Sequence, residues 1–147
     1  MEDNFNLIAQ SRYYLKRFTS LMNEFKKVSE KEQDYALREM ALLIQECIEL
    51  CIKGLVELLI GIDYKHTHLL VDNTLLLRNH KNNINGFDEL EIILDKIDIK
   101  APRICDFHTK AVYINSFATS EKELNEYMEI AKELHSWIDI NLINSAV

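Results

Sequence analysis

Residues 40–60, MALLIQECIELCIKGLVELLI, constrain the chain more than any other stretch. The polar residues Gln45, Glu49, Lys53 and Glu57 recur every fourth position and Glu46 stands beside them, so they share one narrow stripe. Apart from Gly54, everything else in the stretch is apolar, and a helix of this kind must be covered over most of its circumference. Two arrangements meet that need: a central helix in a bundle, or one shared between two subunits. A membrane span does not, because charges recur at every turn and each costs a few kcal/mol at a bilayer centre. Glu49 and Lys53 have the favourable i,i+4 orientation, so the stripe reads as a hydrated face.

The rest of the chain agrees with an all-α protein. Only 3 Gly and 1 Pro interrupt 147 residues that are 48% hydrophobic and 28% charged, so turn chemistry is scarce and helix formers abound. That length suits one domain with a full core. The formal charge of -7 disfavours sequence-independent binding to nucleic acid through the overall field, so any such site must be local. Three cysteines are an odd number, and Cys47 and Cys51 sit one turn apart in the central helix. They read as packing residues in a reducing cytosol, and a cytoplasmic location is expected. The N-terminus lacks the basic start and apolar run of a signal peptide.

Periodicity and capping place the helices. A first amphipathic helix runs from about Phe5 to Lys27, with Arg12, Lys16, Arg17, Lys26 and Lys27 on a solvated face. Ser29 and Glu32 have capping-box spacing and open a second helix that continues to about Ile60. At roughly 30 residues this helix would be about 45 Å long. Gly61 suits its left-handed C-terminus, and Gly54 is the expected point of any bend. Thr67 is the expected N-cap of a third helix through LLVDNTLLLRNH, and KNNINGF is the strongest loop signal. A short helix is expected from Asp88 to Ile97, its acids Asp88, Glu89 and Glu91 favoured by the dipole. Pro102 then suits the first turn of another helix, and Ser120 with Glu123 caps the last one. The expected architecture is an antiparallel up-and-down bundle of about five helices in a single domain, 1–147.

Gln45, Glu49 and Lys53 in IQECIELCIKGLVELLIG, the THLL of Thr67 to Leu70 after a short linker, and Arg103 near the start of a later helix together resemble the HEPN family of small helical domains. The resemblance covers about Tyr13 to Ile138. It implies a HEPN-like bundle that forms homodimers and works with a small nucleotidyltransferase, as the toxin or accessory half of a toxin-antitoxin pair. Some members are metal-independent ribonucleases whose signature is an arginine, four to six residues, then a histidine. RICDFH supplies Arg103 and His108 with four residues between, although Ile104 replaces the polar residue that usually follows the arginine.

The chemistry of such a pair is plausible on its own. Metal-free RNA cleavage needs a group to move the 2'-hydroxyl proton, which a histidine suits, and a fixed positive charge for the phosphate, which a guanidinium suits. Five residues along a straight helix turn about 140°. Arg103 and His108 would therefore share a site only if Arg103 lies in a first helical turn or reaches around, or if two chains contribute to one pocket. A second group, His66, His68, Arg78, His80 and Lys81, is locally basic and could line a nucleotide or RNA groove beside Lys100, Arg103 and Lys110. Within it, His68, Arg78, His80 and Lys110 are the candidate ligand contacts. His68 also reads as a residue that fastens a helix end.

Several chemistries lack their residues. Cys105 and His108 give only two local zinc ligands where a structural site wants four. The three glycines stand alone, so no phosphate-cradling loop exists, and no cofactor is expected. The alternatives to the toxin or accessory reading are a non-catalytic nucleotide- or protein-binding module and a purely structural dimerisation domain.

Overall fold

A computed structural model describes the backbone of residues 2–113 and 118–143 and the side chains of residues 7–107 and 118–142. The described residues form five α-helices and no strand: α1 (Glu2–Glu24), α2 (Glu30–Leu55), α3 (Leu70–Asn79), α4 (Phe87–Tyr113) and α5 (Glu121–Ile138). No helix among them is long and apolar enough to cross a membrane.

α2 is the centre, as its sequence requires. Met40, Ala41, Ile44, Cys47, Ile48, Cys51, Ile52 and Leu55 are all buried, and α1, α3, α4 and α5 each pack against it. One chain thus buries the main apolar stripe of this helix, while Leu42, Leu43 and Leu50 stay part-exposed. Neighbouring helices run antiparallel where their side chains pair. Ser11 faces Cys47 and Arg17 faces Glu39 across α1 and α2; Thr74 faces Asp98 and Arg78 faces Asp95 across α3 and α4; Lys96 faces Glu133 and Arg103 faces Glu123 across α4 and α5.

Local chemistry sets most boundaries. α1 closes in a 3-10 turn at Phe25–Lys27, and the Ser29 side chain then accepts a hydrogen bond from the Glu32 backbone N–H at 3.3 Å, opening α2. Gly54 is buried in regular helix, and the expected irregularity lies just beyond it, where α2 widens into a π turn at Val56–Ile60. Gly61, at φ 75°, then reverses the chain.

Two expected boundaries differ. Leu69 rather than Thr67 precedes α3, and the Thr67 hydroxyl accepts from the Leu69 N–H at 3.1 Å, which makes a turn two residues long instead of a cap. The segments expected as separate helices before and after Pro102 form one helix, with Pro102 inside α4. Leu90, Ile93, Leu94, Ile97, Ala101, Ile104 and Phe107 make one buried stripe at unbroken helical spacing. Burying that many apolar groups, at roughly 1.5–3 kcal/mol for each of the larger ones, outweighs the ~3 kcal/mol of an interior proline.

α5 starts at Ser120, whose hydroxyl accepts from the Glu123 N–H at 3.1 Å. It buries Leu124, Tyr127, Ile130, Leu134 and Trp137, with the Tyr127 ring edge-on to Phe107 at 5.6 Å between centroids. The Trp137 indole N–H donates to the Gly86 carbonyl at 3.0 Å and ties the end of α5 to the start of α4.

Candidate functional site

The middle of the stripe on α2 is not hydrated, although Glu46, Lys53 and Glu57 are part-exposed. Gln45 is 1% exposed and Glu49 is 4% exposed, because the linker of residues 61–69 returns across this face. Lys53 Nζ donates to Glu49 Oε1 at 2.7 Å, and the Gln45 amide nitrogen donates to Oε2. His68 places Nδ1 at 3.1 and 3.2 Å from the two carboxylate oxygens. A carboxylate this deep must be paired, and here three donors converge on it. Periodicity alone could not show this burial, since the covering segment is a loop with no pattern of its own.

That loop is held at several points. Asn73 clasps the backbone of Lys65, accepting from its N–H at 2.7 Å and donating to its carbonyl at 3.0 Å. Lys53 Nζ lies 5.4 Å from the centre of the Tyr64 ring, a cation–π approach, and the Tyr64 and His66 rings are 4.6 Å apart. On the far side, Cys105 Sγ donates to the His68 carbonyl at 3.0 Å, linking the loop to α4. Residue 68 thereby joins residues 45, 49 and 53 of one helix face in a single cluster. A carboxylate only accepts, so the hydrogen bond places a proton on Nδ1 of His68 and leaves Nε2 on the opposite edge. Gln45 Oε1 is buried with no hydrogen-bond partner among the described residues.

Arg103 is part of a different construction. It lies in the interior of α4, not in a first turn. Its Nε and Nη2 bond the two oxygens of Glu123, each at 3.0 Å, in the bidentate geometry that suits a guanidinium. Nη2 also donates to the Ala118 carbonyl, and the guanidinium lies 5.1 Å from the centre of the Phe107 ring. Glu123 collects further bonds from the Thr119 hydroxyl at 2.6 Å and the Tyr127 hydroxyl at 3.1 Å. The capping glutamate therefore gathers a neighbouring helix.

These contacts shift the ionisations. Partial burial pushes the Glu123 carboxyl up, but the hydrogen bonds from Arg103, Thr119 and Tyr127 outweigh it and hold the group below its ordinary value. The bond to Glu123 raises Arg103 in turn. Burial and the adjacent carboxylate raise Tyr127. Arg103 thus fastens α4 to the start of α5.

His108 and Lys110 lie on the α4 backbone, but their side chains are outside the described residues. Positions 103 and 108 on one continuous helix face directions about 140° apart. The first-turn placement that would have relieved this is not present.

The remaining cations are distributed rather than gathered. Arg78 sits between α3 and α4, bonded to Asp98 at 2.7 Å and Asp95 at 2.8 Å with Glu91 at 3.6 Å. Burial would lower its pKa, but the bonds to Asp98 and Asp95 raise it overall. His80 Nδ1 lies 2.9 Å from the Leu76 carbonyl at the end of α3. Lys100 pairs with Glu126 at 3.2 Å and Lys96 with Glu133 at 3.0 Å, both toward α5. Arg78 thus pairs with acids on the α3 side of α4, and Lys96, Lys100 and Arg103 pair with acids of α5. No cluster of three metal-ligating side chains occurs among the described residues.

One polar cluster has no signal in the sequence. Ser11 is fully buried between α1, α2 and α5, and its hydroxyl lies 2.6 Å from the Cys47 carbonyl and 2.9 Å from His135 Nε2. If the single hydroxyl proton goes to the carbonyl, His135 donates from Nε2. Burial pushes His135 down to about 4 and the charge of Arg12 adds to this, against the opposing pull of Asp139. Arg12 itself bonds Asp139 at 2.7 Å, so this residue, expected on a solvated face, closes α1 onto the end of α5. Burial raises Cys47 to about 11 and raises Cys51 as well, so both thiols stay protonated packing groups.

No protein-family model, curated protein or solved structure matches the chain.

Proposed function

We propose that this chain is a HEPN-like helical domain acting as the non-cleaving, accessory partner of a nucleotidyltransferase. The observation that carries this reading is the convergence of Gln45, Glu49, Lys53 and His68. Gln45, Glu49 and Lys53 share one helix face by their spacing, but His68, from the second part of the family resemblance, lies nineteen residues beyond Glu49, and a chance similarity gives no reason for it to join them. Their bonds fasten the loop before α3 to the central helix, a structural use of the motif.

The accessory role rests on Arg103. A guanidinium committed to Glu123, Ala118 and Phe107 would have to leave those partners before it met a phosphate. The competing reading is a metal-independent ribonuclease built from Arg103 and His108. It needs that release and, given the angle between the two positions, a symmetric homodimer that brings His108 of one copy to Arg103 of the other. A homodimer accords with the family resemblance, as does a cytoplasmic setting with the three free thiols.

The test pairs an RNA assay with an assembly assay. Purified protein should leave structured and single-stranded RNA intact, and should co-elute with a minimal nucleotidyltransferase encoded beside it. RNA cleavage lost in both Arg103→Ala and His108→Ala would overturn the accessory reading in favour of the ribonuclease. Failure to co-elute would remove the partnership.

A further inference from the structure

The seam between α3 and α4 carries a feature that the Glu49 cluster does not use. A groove of about 390 Å³ opens there, with Leu69, Val71, Pro102 and Cys105 among its apolar walls and Asp98 and Asp106 on its edge. Leu69 is 55% exposed, Val71 45% and Leu75 56%. Val71 and Leu75 are one turn apart and face the same way, so a helix of ten residues presents a row of aliphatic side chains to solvent. Such rows mark interaction surfaces when a polar rim surrounds them.

The rim is net acidic. Asp72 lies in the first turn of α3, next in sequence to the groove residue Val71. Along the seam, Glu91, Asp95 and Asp98 surround the single guanidinium of Arg78, three carboxylates against one cation. The Cys105 thiol reports the same field. Burial raises it first, a backbone N–H at Leu70 lowers it, and the charges of Glu49, Asp106 and Asp72 raise it again. A phosphate backbone or an anionic lipid surface would be repelled here, whereas an apolar body flanked by cations would be attracted.

We propose that the α3–α4 groove is a docking site for an amphipathic helix of a partner protein, with its apolar face on Leu69, Val71, Leu75 and Pro102 and its Lys or Arg residues on the side of Asp72 and Asp106. A helix laid into a groove supplies both the apolar stripe and the flanking charge in one rigid element. This proposal extends beyond the function above and does not require the partner to be a nucleotidyltransferase.

The probe is a short synthetic amphipathic helix with a leucine face flanked by lysines, titrated into the full-length protein alongside its counterpart with glutamate in place of every lysine. The lysine peptide should bind, more weakly as salt is added, and the glutamate peptide should not. Because Cys47 and Cys51 are buried, alkylation by iodoacetamide reads Cys105, and the lysine peptide should slow it. Val71→Lys with Leu75→Lys, both at exposed positions, should weaken binding by about tenfold or more while the thermal melt is unchanged. Tyr35→Lys, exposed on α2, should bind as the parent does. The proposal is overturned if both peptides or neither bind at millimolar concentration, if the double lysine variant binds normally, or if Cys105 stays equally reactive. Protection of Cys105 by an RNA oligomer instead would also overturn it.

Discussion

Glu49 and Glu123 are built alike and placed differently. Each carboxylate receives three side-chain donors, one of them a cation: Lys53, Gln45 and His68 on Glu49, and Arg103, Thr119 and Tyr127 on Glu123. The Glu49 side chain is 5% exposed, that of Glu123 27%. Identical chemistry therefore has unequal consequences, because a stranded charge in the interior has no water to turn to. Glu49 fixes the loop that precedes α3, and Glu123 fixes one helix end to its neighbour.

The largest expected effect follows from that inequality. Glu49→Ala leaves the Lys53 ammonium without its partner in a nearly closed site, and should cost about 3–5 kcal/mol in urea unfolding. Replacing both residues with apolar ones, Glu49→Leu with Lys53→Met, should recover most of that loss. If the double variant is as unstable as the single one, the buried charge is not the cause.

Acidification separates the Glu123 region from the Ser11–His135 cluster. His135 has a folded pKa of about 4, below its ordinary 6.5, so the unfolded chain binds a proton that the folded chain refuses. Stability is unaffected above about 6.5, falls as pH drops from there to about 4, and loses up to about 3 kcal/mol through this group. Glu123 works in a lower window. Its folded value is depressed, so its contribution is intact above the unfolded carboxyl value and vanishes only as pH falls through the folded one. His135→Gln should flatten the decline between 6.5 and 4 and leave the more acidic loss in place; a wild-type profile already flat across that range would contradict the burial argument.

Smaller effects belong to the half-exposed partners. Arg103→Ala should cost about 1 kcal/mol, since a partly hydrated Glu123 keeps access to solvent and to Thr119 and Tyr127. Thermal melts in low and high salt would check this, and a loss as large as that of Glu49→Ala would erase the distinction between the two carboxylates. His68→Ala should cost less again, about 0.5 kcal/mol, because its ring is half exposed. Its clearer readout is faster amide exchange near the end of the loop of residues 61–69, which that side chain bonds to α2.

How far the sequence speaks follows the same division. The central helix, both serine caps and the left-handed Gly61 are readable because each depends on residues within one helical turn. Pro102 misleads, since its local preference to start a helix is overridden by a buried stripe that only the assembled core rewards. At the candidate site, the pairing of Glu49 with Lys53 is visible in their spacing, but its burial is not, because it depends on a loop docking from nineteen residues away. The second role of Glu123 and the bridge from Ser11 to His135 are hidden for the same reason. They join positions 20 and 124 residues apart and leave no period behind.

Glu49 and Lys53 form an interior pair. A double-mutant cycle with Glu49→Gln and Lys53→Met, read by urea unfolding, measures this directly. A pair on a hydrated helix face gives a coupling of about 0.3–0.5 kcal/mol, whereas the buried arrangement predicts about 2 kcal/mol or more. A value near the lower figure would return the stripe to solvent and contradict the account.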